Sequence, residues 1–150
     1  MPKILIDPTN KILSSAAEVL KKVGEEDFSM RLVAKKAKVS VGTIYNYYPN
    51  KEELLKAVNK KQGALICKEM ASFKGKAEKP LEKLYDLTAS ALGYGEEENN
   101  VLEALNKGLR NLYREKEEIA LNVSAEIIVN AVMKNRDKEA ILPILTKVLG

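Results

Sequence analysis

Apolar residues recur at helical spacing along almost the whole chain. Ile12, Leu13, Ala16, Ala17, Leu20 and Val23 fall at i, i+1, i+4, i+5, i+8 and i+11, which gathers them on one face of a helix. Asp7 before Pro8 supplies an N-cap and a first-turn proline, and Gly24 supplies a terminator. A first helix is therefore expected over about Pro8 to Val23.

Three helix starts follow closely. Ser29 precedes Met30 to Ala34, Ser40 precedes Val41 to Tyr45, and Asn50 with Glu53 resembles a capping box. The first two open short helices. The third opens a long one from Lys51 towards Phe73, with Glu52 and Lys56 at supporting i, i+4 spacing. Lys74 to Lys79 reads as a polar loop, and Pro80 begins a fifth helix that ends near Gly93. A second loop is expected from Gly93 through the acidic-amide run to Asn100. A sixth helix carries Val101, Leu102, Leu105, Leu109 and Leu112, and a seventh covers about Lys116 to Lys134. The last starts near Asp137 and is expected to bend at Pro143, which cannot donate a backbone hydrogen bond. No strand pattern competes, so the fold class is all-α with about eight helices.

The seventh helix is apolar around most of its circumference. Between Ile119 and Met133 only Asn122, Ser124, Glu126 and Asn130 are polar. Such a helix must be covered on two sides. With the apolar positions of the last helix, this predicts an isologous dimer through Leu121, Ala125, Ile128, Val129, Val132, Ile141, Leu145 and Val148. The competing reading is that both helices merely close a monomeric core.

Charge sharpens this picture. The 150 residues carry a net charge of +4. Residues 1–61 hold 12 Lys and Arg against 7 Asp and Glu, a balance of +5, whereas the rest has 13 against 14. The positive excess thus belongs to the N-terminal part, as a nucleic-acid-binding head would require. There is no histidine and only one cysteine, Cys67. That removes the common zinc sites, a histidine-dependent triad and an internal disulfide, and neither a metal nor a cofactor is expected. The start, Met1 to Asp7, lacks a leader pattern, and no apolar run is long enough to span a bilayer, so a cytoplasmic location is expected.

Ser29 to Tyr48 holds two short helices and a tight connection. Ala34 is small enough for a steep helix crossing, while Val39 and Ile44 can reach back to the first of the pair. Leu32, Val33 and Ala37 are expected to complete the buried side. This is a helix-turn-helix pattern, whose second helix enters the major groove. Lys38 occupies the turn position where glycine is often found, because that residue commonly takes positive φ.

The segment with its flanks resembles the DNA-binding head of the TetR family of transcriptional repressors over roughly residues 8–60. Phe28, Leu32, Val33, Ala34, Ala37 and Val39 carry the resemblance. So do Ser40, Gly42, Thr43, Ile44, Tyr45, Tyr47, Tyr48, Lys51, Glu52 and Leu54, with Tyr48 replacing a more usual phenylalanine. The expected organisation is a DNA-binding domain over residues 1–50 and a ligand-binding and dimerisation domain over 51–150. Val41, Gly42, Tyr45 and Asn46 are placed within reach of base edges. Thr43, Tyr47 and Lys51 are placed at phosphates, with Ser29, Arg31 and Ser40 as further anchors. Lys35, Lys36 and Lys38 read as a solvated face. The resemblance implies a homodimer on a palindromic operator and a small-molecule effector in the body, with Cys67, Met70, Tyr85, Leu92, Tyr94 and Tyr113 as candidate lining. The expected function is therefore a sequence-specific regulator released by an effector. The alternative is a protein-interaction module that kept the head and lost operator binding. No catalytic constellation is present in the sequence.

Overall fold

The computed structural model describes residues 7–75 and 77–150; the expectations placed on Met1 to Ile6 and on Lys76 fall outside the described residues. Among the described residues the regular elements are helices: α1 (Thr9–Asp27), α2 (Met30–Ala37), α3 (Val41–Tyr47), α4 (Lys51–Ala71), α5 (Pro80–Gly93), α6 (Glu98–Leu112), α7 (Glu118–Met133) and α8 (Lys138–Leu149). The chain divides into two compact units, Met1–Lys61 and Gln62–Gly150. The division falls inside α4 rather than at residue 50, because Leu54 and Val58 are buried in the same cluster as Ile12, Val33 and Ile44.

In the first unit, the spaced apolar face of α1 (Ile12, Leu13, Ala16, Val19) packs with Phe28, Met30, Val33, Ala34 and Ile44. Pro8, not Asp7, stands at the N-cap of α1; Asp7, one residue earlier, accepts from the Thr9 amide at 2.9 Å, and Gly24 interrupts the helix at φ 82°, ψ 168°. Only glycine adopts that backbone region readily, so the polar turn Glu25 to Asp27 follows a kink after the apolar face has ended.

The second unit has its own core, with Met70, Leu84, Val101, Leu105, Leu109, Ile128 and Leu145 fully buried. Here α6 begins a turn earlier than expected. Glu98, Asn99 and Asn100 are helical, and Asn100 donates its side-chain amide to Glu96 Oε1 at 3.0 Å. That turn has no apolar residue, so periodicity did not register it. Gly108 allows the close approach of α6 to the end of α4: a Cβ there would lie 2.6 Å from the Met70 carbonyl oxygen. Three residues on, Asn111 donates to the carbonyls of Ala71 and Phe73, each at 3.1 Å, and so closes the C-terminus of α4. Asp137 caps α8 by accepting from the Glu139 amide at 3.1 Å. The helix is continuous through Pro143. Pro143 and Glu139 are both exposed, so the carbonyl that loses its helical partner can be met by water.

Candidate nucleic-acid interface

Each short helix of the head is started by a side chain. Ser29 Oγ accepts from the Leu32 amide at 3.2 Å, and Ser40 Oγ accepts from the Thr43 amide at 3.1 Å. Between them Lys38 is left-handed at φ 59°, ψ 40°, and the amides of Lys38 and Val39 bond back to the Lys35 and Ala34 carbonyls. This is the positive-φ turn that the sequence pattern required. It aligns α3 so that Ile44 is completely buried while Gly42, Tyr45, Asn46 and Tyr47 are exposed.

The exposed residues form a face of mixed chemistry. Tyr45 and Tyr47 leave nearly half of their surface free, at 49% and 47%, an unusual exposure for large aromatics that contribute nothing to the core. Val41 and Thr43 are half-buried, and the Thr43 hydroxyl pairs with that of Ser40 at 2.8 Å. Lys51 is the first residue of α4. Asn50 caps that helix by accepting from the Glu53 amide at 2.8 Å; the return bond of a full capping box is not among the hydrogen bonds of the described residues. The start of α4 thus combines free amides with an ammonium group, which suits a phosphate. Ser29 is half-buried and already engaged in capping, whereas Arg31 is exposed.

Two features of the head escaped the sequence reading. Leu32 is not buried beside Val33 and Ala37; it is 38% exposed, because α2 turns that position away from the shared core. Lys56 and Lys60 border a concavity of about 310 Å³ with Tyr47, Tyr48, Pro49, Glu53 and Ala57. Their i, i+4 spacing was visible, but not that it lies beside Tyr47. Tyr48 is half-buried against the head core, and burial, with a smaller contribution from Asp7, raises its phenol above the ordinary value.

The body departs more from expectation. Met70 and Tyr85 are core residues, and the Tyr85 hydroxyl donates to the Arg136 carbonyl at 3.1 Å. Cys67, Leu92 and Tyr113 pack partly buried against that core, and Tyr94 is exposed. The six positions therefore do not converge on one cavity. Tyr113 borders a recess of about 320 Å³, shared with Leu81, Leu142, Lys79, Glu82 and Thr146. Burial, then the Glu96 carboxylate, pushes the Cys67 thiol up, the opposite of what a reactive thiolate needs.

The expected dimer face also needs correction. Leu121, Ala125, Ile128, Val129 and Leu145 are buried within the protomer, and Val132 and Ile141 are partly so. Their spacing marks the inward side of α7 and α8. The apolar residues left exposed there are Ile119, Val123, Met133, Ile144 and Val148.

A helix-turn-helix corner whose second helix leaves a polar and aromatic face exposed is the arrangement that DNA-binding regulators use. Residues 12–58 match the family of bacterial regulatory proteins named for TetR. Solved structures agree on the fold of the whole chain. The fatty acid degradation regulator FadR from Bacillus halodurans is 22% identical with a TM-score of 0.53, over 99% of this chain and 97% of that one. A TetR-family transcriptional regulator from Streptomyces coelicolor is 20% identical with a TM-score of 0.55, over 96% and 98%. A TetR-family protein from Vibrio parahaemolyticus is 19% identical with a TM-score of 0.53, over 95% and 97%. Comparison with curated proteins finds no match. Residues 12–58 thus match the TetR family's head, and the chain has a TetR-like fold. No helix among the described residues is long and apolar enough to cross a membrane.

Proposed function

We propose that this protein is a homodimeric, sequence-specific repressor that binds a palindromic operator and is released by a small effector. The observation that carries this reading is the exposed face of α3, where Tyr45, Asn46 and Tyr47 stand clear of the core while Ile44 anchors the helix beneath them. Val41, Gly42, Tyr45 and Asn46 read base edges. Asn46 pairs with adenine, Val41 touches a thymine methyl, and Gly42 allows close approach of the backbone. Thr43, Tyr47 and Lys51 hold phosphates, with Arg31, Ser29 and Ser40 as outer anchors. Two heads then occupy successive major grooves, which sets the operator's symmetry.

Dimerisation is assigned to the outward side of α7 and α8, through Ile119, Val123, Met133, Ile144 and Val148, with Val132 and Ile141 at its edge. Five large apolar side chains left in water on two helices support this reading. The effector site is assigned to the recess at Tyr113. Its volume lies at the low end of the roughly 300–1,000 Å³ that small-molecule sites occupy, so the effector is small. Release follows from preferential binding of the effector to a dimer whose head spacing mismatches the operator.

The test is selection from a pool of random duplex DNA at near-physiological salt, followed by sequencing. An enriched palindrome supports the reading, and its half-site spacing reports the separation of the heads. A folded dimer that enriches nothing would instead favour a protein-interaction role for the head.

A further inference from the structure

The head carries a second concave surface, between α1 and α2, whose lining shares no residue with the reading face of α3. It is a groove of about 510 Å³ with Val19, Val23 and Leu32 on its floor. Leu32 is the unexpected member, a leucine held 38% exposed on a helix that buries Val33 and Ala34 beside it. Around this floor stand Lys22, Lys35 and Lys38, together with Lys36 and Glu18. The single carboxylate is engaged with Lys36 at 3.3 Å. Lys22, Lys35 and Lys38 are exposed and take part in no ion pair among the described residues. Lys38 holds its position at a backbone cost, since φ 59° suits glycine better.

We propose that this groove docks an acidic amphipathic helix of a partner protein. The floor takes one or two large apolar side chains, and flanking carboxylates meet Lys22, Lys35 and Lys38. Charge complementarity selects the occupant, because three free ammonium groups surround an apolar strip. A phosphate backbone would use the lysines but gain nothing from Leu32 and Val23. A helix laid between two helices uses both the strip and its charged rims. Because none of Val41, Gly42, Tyr45 or Asn46 lines the groove, the partner can be held while α3 is on DNA. The head thereby becomes a site of recruitment as well as of sequence reading.

The experiment uses the full chain without DNA and a labelled synthetic amphipathic helix of about 15 residues, long enough to form in the groove. One face of the probe bears leucines and its flanks bear glutamates. Fluorescence anisotropy is expected to show binding on the order of 10 µM. Leu32→Glu, and separately the pair Lys22→Glu with Lys35→Glu, should weaken it by at least about tenfold. The milder Leu32→Ser should do so with an unchanged thermal melt, which separates loss of the site from loss of the fold. A control peptide with serines for leucines should bind at least about tenfold more weakly than the probe.

Equal binding of the serine control would overturn the proposal, since charge alone would then suffice. So would absence of probe binding up to millimolar concentration. If the double lysine variant leaves peptide affinity unchanged and instead lowers the salt slope of DNA binding by about two, the groove is a phosphate-contacting surface and the proposal is wrong. Failure of operator selection would leave this result intact, because the peptide is measured in the absence of DNA.

Discussion

Lys38 carries the backbone through φ 59° between α2 and α3, where a β-carbon is unfavourable. Replacing it with glycine should stabilise the head by about 1 kcal/mol, seen as a rise in Tm of about 2–4 °C. A fall in Tm would show that the lysine side chain makes compensating contacts. A neighbouring distinction is between residues that read bases and residues that hold phosphates. Asn46→Ala should relax preference at one base pair and cost about 1–3 kcal/mol on the preferred operator only. Lys51→Ala should weaken binding to every duplex and reduce the salt slope by about one. Binding profiles over a panel of operators and salt concentrations check both, and uniform loss from Asn46→Ala would remove it from the base-reading set.

At the scale of elements, α5 is joined to the start of α8 by Lys138, whose Nζ lies 3.0 Å from Glu82 and 3.2 Å from Asp86. The hydrogen bond and charge of Lys138 hold the Glu82 carboxyl below its usual 4.5, and the hydrogen bonds that Lys138 donates to Glu82 and Asp86 raise it above 10.5. A depressed carboxylate contributes stability that is present above its unfolded pKa and is lost as pH falls through the folded one. A raised lysine contributes stability that is lost as pH rises through its folded pKa. The clamp therefore acts across the neutral range and fails at both extremes. Lys138→Met should lower Tm at pH 7 and have a smaller effect once the carboxyls are protonated; an equal loss at both pH values would point to packing instead. The approach of α6 to α4 is tested by Gly108→Ala, whose Cβ would meet the Met70 carbonyl oxygen at 2.6 Å. Backbone must shift to admit it, so chemical denaturation should show a loss of about 1–3 kcal/mol.

For the whole molecule, the assignment that joins two copies is the outward side of α7 and α8. Ile144→Glu combined with Val123→Glu places charges at two exposed positions, so the protomer should fold while sedimentation shows a monomer. Loss of the dimer should also abolish tight operator binding, because each head alone grips only one half-site. A dimer that survives both substitutions would place the interface elsewhere. Leu145→Ala, in contrast, removes a fully buried side chain and should unfold the body by about 2–5 kcal/mol without selecting the oligomeric state.

Local chemistry was legible in the chain wherever a short-range rule acts alone. Ser29, Ser40, Asn50 and Asp137 cap helices through their own side chains, Lys38 supplies the turn, and the spacing of Ile12, Ala16 and Val19 marks a buried face. These depend on neighbours within one or two turns, so periodicity and capping rules suffice. Which side of an apolar helix faces its own core is a different matter. Leu121 and Ile119 lie on the same helix and are alike in hydrophobicity, yet one is buried and the other is 73% exposed. A helix apolar almost all round carries too little phase information to separate them. Tertiary packing likewise left Leu32 exposed and placed the supposed pocket residues Met70 and Tyr85 in the core of the body. Amino-acid order determined the helices and most of their caps. Only the packing of helices distant in sequence decided which apolar residues were left for partners, because burial depends on what the rest of the chain brings against them.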